Sequence, residues 1–235
     1  MAHVRVAIVG GTGALGLGLA VRLARAGVEV VIGSRSDARA REAEHQVLRA
    51  VPGALARGAI WDRAADAGEV VVIAVPAAAQ EATIRFLAPH LQGKVVVDAT
   101  VSLDPSDPTS AAPPPEGSCA LRARTLLPPE VGLVAAFHTL SGRLLADVDR
   151  PVTADALLCG DDPEAKETVA GLCERMGIRP VDVGPLAKSV VLEALTGILI
   201  GLNRRYRRRH VGVRFTGLSD PSSPPPLAAW GISGR

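Results

Sequence analysis

The sequence is poor in aromatic side chains and in cysteine. Aromatic residues make up 3% of its 235 residues, and its three cysteines are Cys119, Cys159 and Cys173. The cysteines are widely spaced and belong to no paired motif, which argues against a disulfide framework and a zinc site, and we predict no metal site. Such thiols are typical of a cytosolic protein, so we expect a cytoplasmic location.

Charge of either sign is in little excess, and long hydrophobic runs are missing. The 26 Lys and Arg against 24 Asp and Glu leave a net charge of +2, which is too small to imply a nucleic-acid partner. No apolar run approaches the ~20 residues of a membrane span. Gly10, Gly11 and Gly13 interrupt the N-terminal apolar stretch, unlike a signal peptide. We therefore expect a soluble metabolic protein that binds neither nucleic acid nor a membrane.

A glycine-rich run at residues 10–16 follows the first apolar stretch, residues 4–9, which is typical of a strand buried on both faces. Gly11, Gly13 and Gly16 have the dinucleotide-binding spacing: one for the tight turn, one for close approach of a pyrophosphate, one for packing of helix on strand. A glycine-rich turn without a ligand is the alternative. The position of the run, between a strand and a helix that starts near Ala14, favours a dinucleotide.

The end of the second strand, residues 28–32, indicates which dinucleotide binds. Ser34 and Arg35 stand where an NAD site usually has an acidic residue, and Arg39 and Arg41 follow shortly after. A hydroxyl and guanidinium groups suit the extra phosphate of NADP, which a carboxylate would repel. The alternative is that the arginines only solvate a helix face. The pattern favours NADP(H) over NAD(H).

The rest of the chain alternates between predicted strands and helices, which predicts an α/β fold: a Rossmann-type, doubly wound parallel sheet with a small C-terminal α/β extension. Further strands are predicted at residues 57–60, 70–75, 94–99, 131–137, 156–159, 179–183 and 211–215. Helices are predicted at 36–50, after a cap at Asp62, and at 77–91, 163–176 and 189–206. We expect a single domain over residues 1–218, its substrate-side portion at about 131–218, and a flexible tail at 219–235.

Residues 100–129 differ from the alternating strands and helices of the rest of the chain. They contain seven prolines, which forbid a continuous helix or a central strand. A loop of this length is usually functional or disordered. It is either a flap near the carboxyl ends of the strands or a surface excursion with a short helix around residues 119–126.

His138 follows the strand predicted at 131–137, at the sheet edge where ligands bind in open α/β sheets. It is the leading candidate to line the substrate side of the nicotinamide pocket. The alternative is a histidine that is hydrogen-bonded to a neighbouring loop.

The order of these segments resembles the NADPH-dependent coenzyme F420 reductases, or F420:NADP oxidoreductases, over roughly residues 4–218. The motifs that carry the resemblance are Val9-Gly10-Gly11-Thr12-Gly13-Ala14-Leu15-Gly16, Gly33-Ser34-Arg35, Val75-Pro76, Ala136-Phe137-His138-Thr139, Cys159-Gly160-Asp161-Asp162, and Asp182-Val183-Gly184-Pro185-Leu186 followed by Leu192-Glu193-Ala194-Leu195-Thr196. The resemblance implies direct hydride transfer, in either direction, between NADP(H) and C5 of the deazaflavin F420.

The resemblance also implies roles for individual residues. Cofactor contacts fall on Thr12, Gly13, Ala14 and Leu15 at the pyrophosphate, on Ser34, Arg35 and Arg39 at the phosphate, and on Val75, Pro76, Ala77, Val101 and Gly142 at the nicotinamide. His138, Thr139 and Leu140 border the deazaflavin. Hydride transfer between two flat rings needs stacking, short approach and exclusion of water rather than a nucleophile, so no certain catalytic residue is predicted.

A basic cluster ends the last predicted helix. It consists of Arg204, Arg205, Arg207, Arg208, Arg209 and His210. Cations at a helix carboxyl end interact favourably with the helix dipole, which is one explanation. The other is that part of the cluster attracts the anionic phospholactyl-oligoglutamate tail of F420.

Two other functions remain open: an NADP-dependent reductase of another small substrate, such as an imine or a 2-keto acid, and a non-catalytic NADP(H)-binding sensor. The related reductases normally append a helical domain of about 100 residues, for which the chain has no room after residue 184. The apolar stretch at 190–202 could form the interface of a homodimer, which we expect, or could pack against its own sheet.

Replacing Arg35 with alanine tests the cofactor preference. We expect R35A to lose about 1.5 to 3 kcal/mol of binding free energy for NADPH, with little effect on NADH, because only NADPH carries the extra phosphate. The measurement is the ratio of kcat/KM for the two cofactors. An unchanged ratio would contradict the NADP assignment.

Overall fold

The computed structural model describes residues 4–218, so the tail predicted at 219–235 lies outside the described residues. Eight strands form one sheet in the order β3-β2-β1-β4-β5-β6-β7-β8. The strands are β1 Arg5–Val9, β2 Glu29–Ser34, β3 Ala56–Ile60, β4 Val70–Ile73, β5 Val95–Asp98, β6 Gly132–Ala136, β7 Ala156–Gly160 and β8 Pro180–Asp182. This order confirms the predicted Rossmann-type arrangement, with its topological switch point between β1 and β4.

Helices cover both faces of the sheet. They are α1 Ala14–Arg25, α2 Asp37–Ala50, α3 Trp61–Ala67, α4 Ala77–Leu87, α5 Cys119–Leu126, α6 Gly142–Ala146, α7 Pro163–Arg175 and α8 Ser189–Arg205. Short 3-10 turns follow α4 at Ala88–His90 and precede α8 at Leu186–Lys188. α1, α2, α6 and α7 share one core cluster, and α3, α4, α5 and α8 share the other.

The central strands are apolar on both faces, as expected from their uninterrupted hydrophobic runs. In β1, Val6 and Ile8 point to one core cluster while Ala7 and Val9 point to the other, and none is accessible to solvent. Successive side chains of a strand alternate between faces, so a strand covered on both sides must be apolar throughout.

The sheet departs from the predicted parallel arrangement at one junction. β7 pairs antiparallel with β6, with Ala135 opposite Cys159, and β8 then runs parallel to β7. The connection from β6 to β7 holds only the five-residue α6 and begins and ends at the same edge of the sheet, so the next strand must run in the opposite direction.

Two local predictions are wrong. Residues 211–215 form no strand; the segment is fixed instead by hydrogen bonds from Asp155 N to Val213 O (2.7 Å) and from Phe215 N to the Asp155 carboxylate (2.7 Å). Asp62 does not cap α3, because the helix begins one residue earlier, at Trp61, with Ile60 in the N-cap position.

The proline-rich segment contains the predicted short helix, α5, and its remainder lies against α8. A β-carbon added to Gly197 would meet the Thr109 carbonyl oxygen at 2.5 Å, so the two backbones are in close contact there. Asp104 and Asp107 organise the turns of the segment by accepting hydrogen bonds from Ser106 and Thr109.

The stretch Leu186–Arg205 is long and apolar enough, by length and composition, to cross a membrane, with a mean hydropathy of 1.5 over its best window. The expectation that no run approaches this length is therefore wrong. The stretch packs Leu192 and Leu199 into the protein and leaves Val191 and Ile198 about half exposed. Core helices of soluble proteins pass the same test, so it is weak evidence of a membrane span.

Backbone contact without intervening side chains joins α6 to α1. A β-carbon on Gly18 would lie 2.2 Å from the Gly142 carbonyl oxygen, and one on Gly142 would lie 2.4 Å from the Ala14 carbonyl oxygen. The buried Arg22 of α1 holds the far end of α6, donating to the carbonyls of Leu145 (3.0 Å), Leu144 (2.7 Å), Asp147 (2.6 Å) and Arg150 (3.1 Å).

A buried carboxylate of α8 fixes the start of α5. The Glu193 carboxylate, 5% exposed, accepts hydrogen bonds from the backbone N–H groups of Cys119 (2.9 Å) and Ala120 (3.1 Å). The Ser118 and Ser189 hydroxyls are hydrogen-bonded beside it, 2.7 Å apart. These bonds favour the charged form, but burial outweighs them and raises the pKa of Glu193 from 4.5 to about 7.

Stability should depend on pH through Glu193. Between about pH 4.5 and 7 the folded chain retains a proton that the unfolded chain has released, so the free energy of unfolding falls as pH rises through this range. Relative to E193Q, which cannot ionise, we expect the wild type to lose up to about 3 kcal/mol over this range. Urea unfolding at several pH values measures the difference.

The matched control is E81Q, which alters an exposed carboxylate of α4. Its unfolding free energy should follow that of the wild type at every pH. A constant difference between the wild type and E193Q across the range would contradict the predicted protonation of Glu193.

Candidate functional site

A cavity of about 280 Å³ opens at the carboxyl ends of the strands, at the switch point between β1 and β4. It is surrounded by residues 10–13, 34–39 and 74–79 and by Trp61 at the start of α3. Its lining residues are Gly10, Thr12, Gly13, Ser34, Arg35, Ser36, Arg39, Trp61, Ala74, Val75, Pro76 and Ala79. The glycine-rich run and the Ser34–Arg35 element, which the sequence analysis joined only by motif, thus meet in one cavity.

The glycines of the turn have separable structural roles. Gly10 has a φ of +85°, so the left-handed residue of the turn is Gly10 and not one of the three motif glycines. A β-carbon on Gly11 would lie 2.7 Å from Ile32, and one on Gly16 would lie 2.7 Å from the Gly10 carbonyl oxygen. Both positions therefore require glycine for packing.

Gly13 differs from the other glycines of the turn because the position that a β-carbon would occupy faces open space. The nearest atom to an added β-carbon is the Gly10 carbonyl oxygen at 3.4 Å, an ordinary contact. Gly13 is also the N-cap of α1, where no side chain caps the helix and no acidic residue lies in the first turn. The first N–H groups of α1, which include those of Ala14 and Leu15, are thus available to an anion, and the helix dipole favours one.

The rim beside β2 is basic and rich in hydroxyl groups. Ser34 is buried and its hydroxyl accepts a hydrogen bond from Ser36 N (3.3 Å), while the Ser36 hydroxyl caps α2 by accepting from Arg39 N. Within residues 4–218, Arg35 and Arg39 form no ion pair. Arg41 is bound to Asp37 at 2.7 Å and does not line the cavity.

Trp61 is a cavity residue that the sequence analysis missed. The guanidinium of Arg35 lies over its ring, 5.6 Å from the centroid, in a cation–π contact. Its buried indole N–H has no hydrogen-bond partner among the described residues. The signal available in the sequence was a tryptophan, one of two in the chain, directly after a predicted strand.

The opposite wall of the cavity is formed by the end of β4 and the start of α4. Val75 is 6% exposed and Pro76 stands at the N-cap of α4, so this wall is apolar. Of the other residues assigned to this half, Ala77 begins α4 and Val101 follows β5, and neither lines the cavity.

Three buried polar side chains at the ends of β5 and β6 have no hydrogen-bond partner among the described residues. They are the hydroxyls of Thr100 and Thr139 and the imidazole of His138, whose two ring nitrogens are both unpartnered. Buried polar atoms are nearly always paired, so this group, which we call the unpaired trio, indicates an absent partner such as a ligand or water. Burial lowers the pKa of His138 to about 4, so its ring is neutral at pH 7.

The backbone around His138 is held in an unusual conformation. Phe137 has a φ of +73°, which is rare for a residue with a side chain and is often found at functional sites. The Thr196 hydroxyl of α8 donates to the His138 carbonyl (3.0 Å), and Leu140 N donates to the Phe137 carbonyl (3.1 Å).

The predicted site residues thus fall into two groups. Thr12, Gly13, Ser34, Arg35, Arg39, Val75 and Pro76 line the cavity, whereas Gly11, Ala14, Leu15, Gly16, Ala77, Val101, His138, Thr139, Leu140 and Gly142 do not. Leu140 is buried and Gly142 abuts α1, which gives that glycine a packing role.

Comparison with known proteins gives a consistent result. Residues 5–102 match the family described as NADP oxidoreductase coenzyme F420-dependent. The F420-dependent NADP reductase of Methanocaldococcus jannaschii is 38% identical over 225 residues, which cover 91% of this chain and 99% of that protein. The F420-dependent NADP reductase of Methanothermobacter marburgensis is 38% identical over 223 residues, covering 92% and 100%.

A crystal structure from Arthrobacter sp. FB24, whose description suggests an F420-dependent NADP reductase, superimposes with a TM-score of 0.75 at 26% identity. The match covers 91% of this chain and 99% of that chain. Full-length similarity to the archaeal relatives, together with the cavity at the switch point, shows that the chain belongs to the family of F420-dependent NADP reductases.

Proposed function

We propose that this protein transfers a hydride directly between NADP(H) and coenzyme F420. The observation that carries the proposal is the cavity at the switch point, whose rim presents Ser34, Arg35 and Arg39 and, within residues 4–218, no acidic lining residue. The names of the relatives, which cover the chain almost end to end, supply the second substrate.

We assign each part of NADP(H) to residues in or near the cavity. Ser34, Arg35 and Arg39 bind the phosphate that distinguishes NADP from NAD, and Gly11, Thr12, Gly13, Ala14, Leu15 and Gly16 form the turn and helix start that bind the pyrophosphate. The nicotinamide half then lies toward Val75 and Pro76, bordered by Ala77, Val101 and Gly142. The open side of Gly13 supports this orientation, because it leaves room for close approach of the pyrophosphate.

The deazaflavin lies against His138, Thr139 and Leu140, within the substrate-side portion at residues 131–218. The unpaired trio supports this position, since these three buried polar side chains lie beside the strand ends and could form hydrogen bonds with a bound deazaflavin. When bound, the two cofactors would supply the chemistry, which is the exchange of a hydride between NADP(H) and C5 of F420 with uptake or release of one proton by the deazaflavin. The protein binds both rings and excludes water, and burial keeps the His138 ring neutral, so no charged imidazole opposes the positive charge that the nicotinamide carries when it is oxidised.

The proposal includes the assembly and location of the protein. We place it in the cytoplasm as a homodimer, without nucleic-acid or membrane partners. Val190, Val191 and Ile198 of α8 are 41%, 56% and 56% exposed, which supports a second copy of the chain on that face.

One assay tests the function directly. The protein is mixed with oxidised F420 and either NADPH or NADH, and bleaching of the deazaflavin absorbance is followed. We expect fast bleaching with NADPH and slow bleaching with NADH, because only the former has the phosphate that Arg35 and Arg39 bind. Tight NADPH binding without bleaching would instead favour the sensor or a reductase with another substrate.

Trp61 should influence the choice of cofactor through Arg35. Replacing it with leucine removes the ring under the guanidinium, and we expect KM for NADPH to rise about fivefold while KM for NADH changes little. W61F keeps an aromatic face and should retain most of the preference. The matched control is F86L, which alters an exposed aromatic residue of α4; an equal rise for both cofactors in W61L would contradict the role.

A further inference from the structure

A second cavity, of about 530 Å³, is lined mainly by guanidinium groups. Its lining residues are Arg143, Ile200, Asn203, Arg204, Arg207, Arg208 and Arg209, and we call it the arginine basin. We propose that the arginine basin binds the anionic tail of F420, through the phosphodiester and the glutamyl carboxylates. This inference rests on the proposed function, because it assigns a binding site to the tail of F420, the part of that substrate remote from the deazaflavin ring.

The charge of the basin is not balanced within the described residues. Arg204 lies 3.9 Å from Asp107, with both side chains more than 45% exposed. No ion pair is formed by Arg143, Arg207, Arg208 or Arg209 within residues 4–218. Five guanidiniums around one concave surface repel each other, and an anion bound among them relieves that repulsion.

The helix dipole does not account for this arrangement. α8 ends at Arg205, so the dipole explains Arg204 and Arg205. Arg207, Arg208 and Arg209 lie beyond the last turn, where the effect has fallen off. Arg143 comes from a different element, the five-residue α6, so the dipole of α8 does not account for its place in the basin.

The turn after α8 is shaped so that successive arginines reach one basin. Arg207 has a φ of +50°, in the left-handed region. Arg208 N donates to the Asn203 carbonyl (2.8 Å), and the Asn203 side chain accepts from Val211 N (3.2 Å). Hydrogen bonds on both sides of the turn therefore hold a conformation that most side chains disfavour.

The basin lies at a suitable distance from the deazaflavin site. α8 touches His138 through the Thr196 hydroxyl at 3.0 Å, and Arg204 follows eight residues later on the same helix, a rise of about 12 Å. A ribityl phosphate arm spans such a distance. The Ser141 hydroxyl is also 3.0 Å from His210 Nδ1, which joins the loop after His138 to the end of the arginine run.

The experiment compares two substrates in one variant. R207Q/R208Q is assayed with F420 and with the riboflavin-like deazaflavin that lacks the phosphate and glutamyl groups. We expect the ratio of KM for F420 to KM for the tail-less compound to rise about tenfold in low salt, because two charge-assisted contacts are lost. The salt dependence of KM for F420 should flatten, and KM for NADPH, which reports on the folded state, should stay constant.

The matched control is R49Q/R85Q, which removes the same charge from exposed positions on α2 and α4. A KM ratio unchanged in R207Q/R208Q, or raised equally in the control, overturns the inference while leaving the proposed function standing. Wild-type protein that reduces neither deazaflavin overturns the proposed function itself. If the protein sediments with RNA or anionic vesicles while the KM ratio is unchanged, the arginines of the basin bind a macromolecule or a membrane surface and not the tail of F420.

Discussion

The geometry of the site depends on the close approach of two backbones. α1 and α6 touch through Gly18 and Gly142 with no side chain between them, and Arg22 holds the far end of α6 by its carbonyl groups. α1 begins at the glycine-rich turn, and α6 begins just after His138 and Thr139. This contact therefore fixes the two proposed substrate positions relative to each other, which hydride transfer between two rings requires.

The second constraint is a set of buried polar groups that hold the helices in place and take no part in the reaction. Glu193 bonds the start of α5, and Asp98, at the end of β5, accepts hydrogen bonds from Thr100 N and from Gln80 of α4. Burial raises the pKa of Asp98 to about 6. Together these groups join α4, α5 and α8 around the strand ends, beside the proposed deazaflavin position.

Much of the fold followed from local patterns. Uninterrupted apolar runs such as that of β1 predict buried parallel strands, and the glycine spacing predicts the turn that follows. The direction of β7 did not follow, because strand polarity is set by the connection and leaves no trace in the strand's own residues. Residues 211–215 are as strand-like in composition as a true strand, yet Asp155 holds them by only a few hydrogen bonds. In the site, Ser34 and Arg35 were predictable from chemistry, whereas Trp61 becomes relevant only because β3 lies beside β2.

The antiparallel junction between β6 and β7 has a consequence for how such a protein can diversify. The chain leaves β6 and enters β7 at one edge of the sheet, and its final described segment returns there, where His210 meets Ser141. The α6 part of that connection is fixed because its backbone packs on α1, so changes in loop length are tolerated only away from that contact. The fold thus consists of a dinucleotide half and an acceptor half that meet at α1 and α6, and new acceptors can be acquired by remodelling the second half outside that contact.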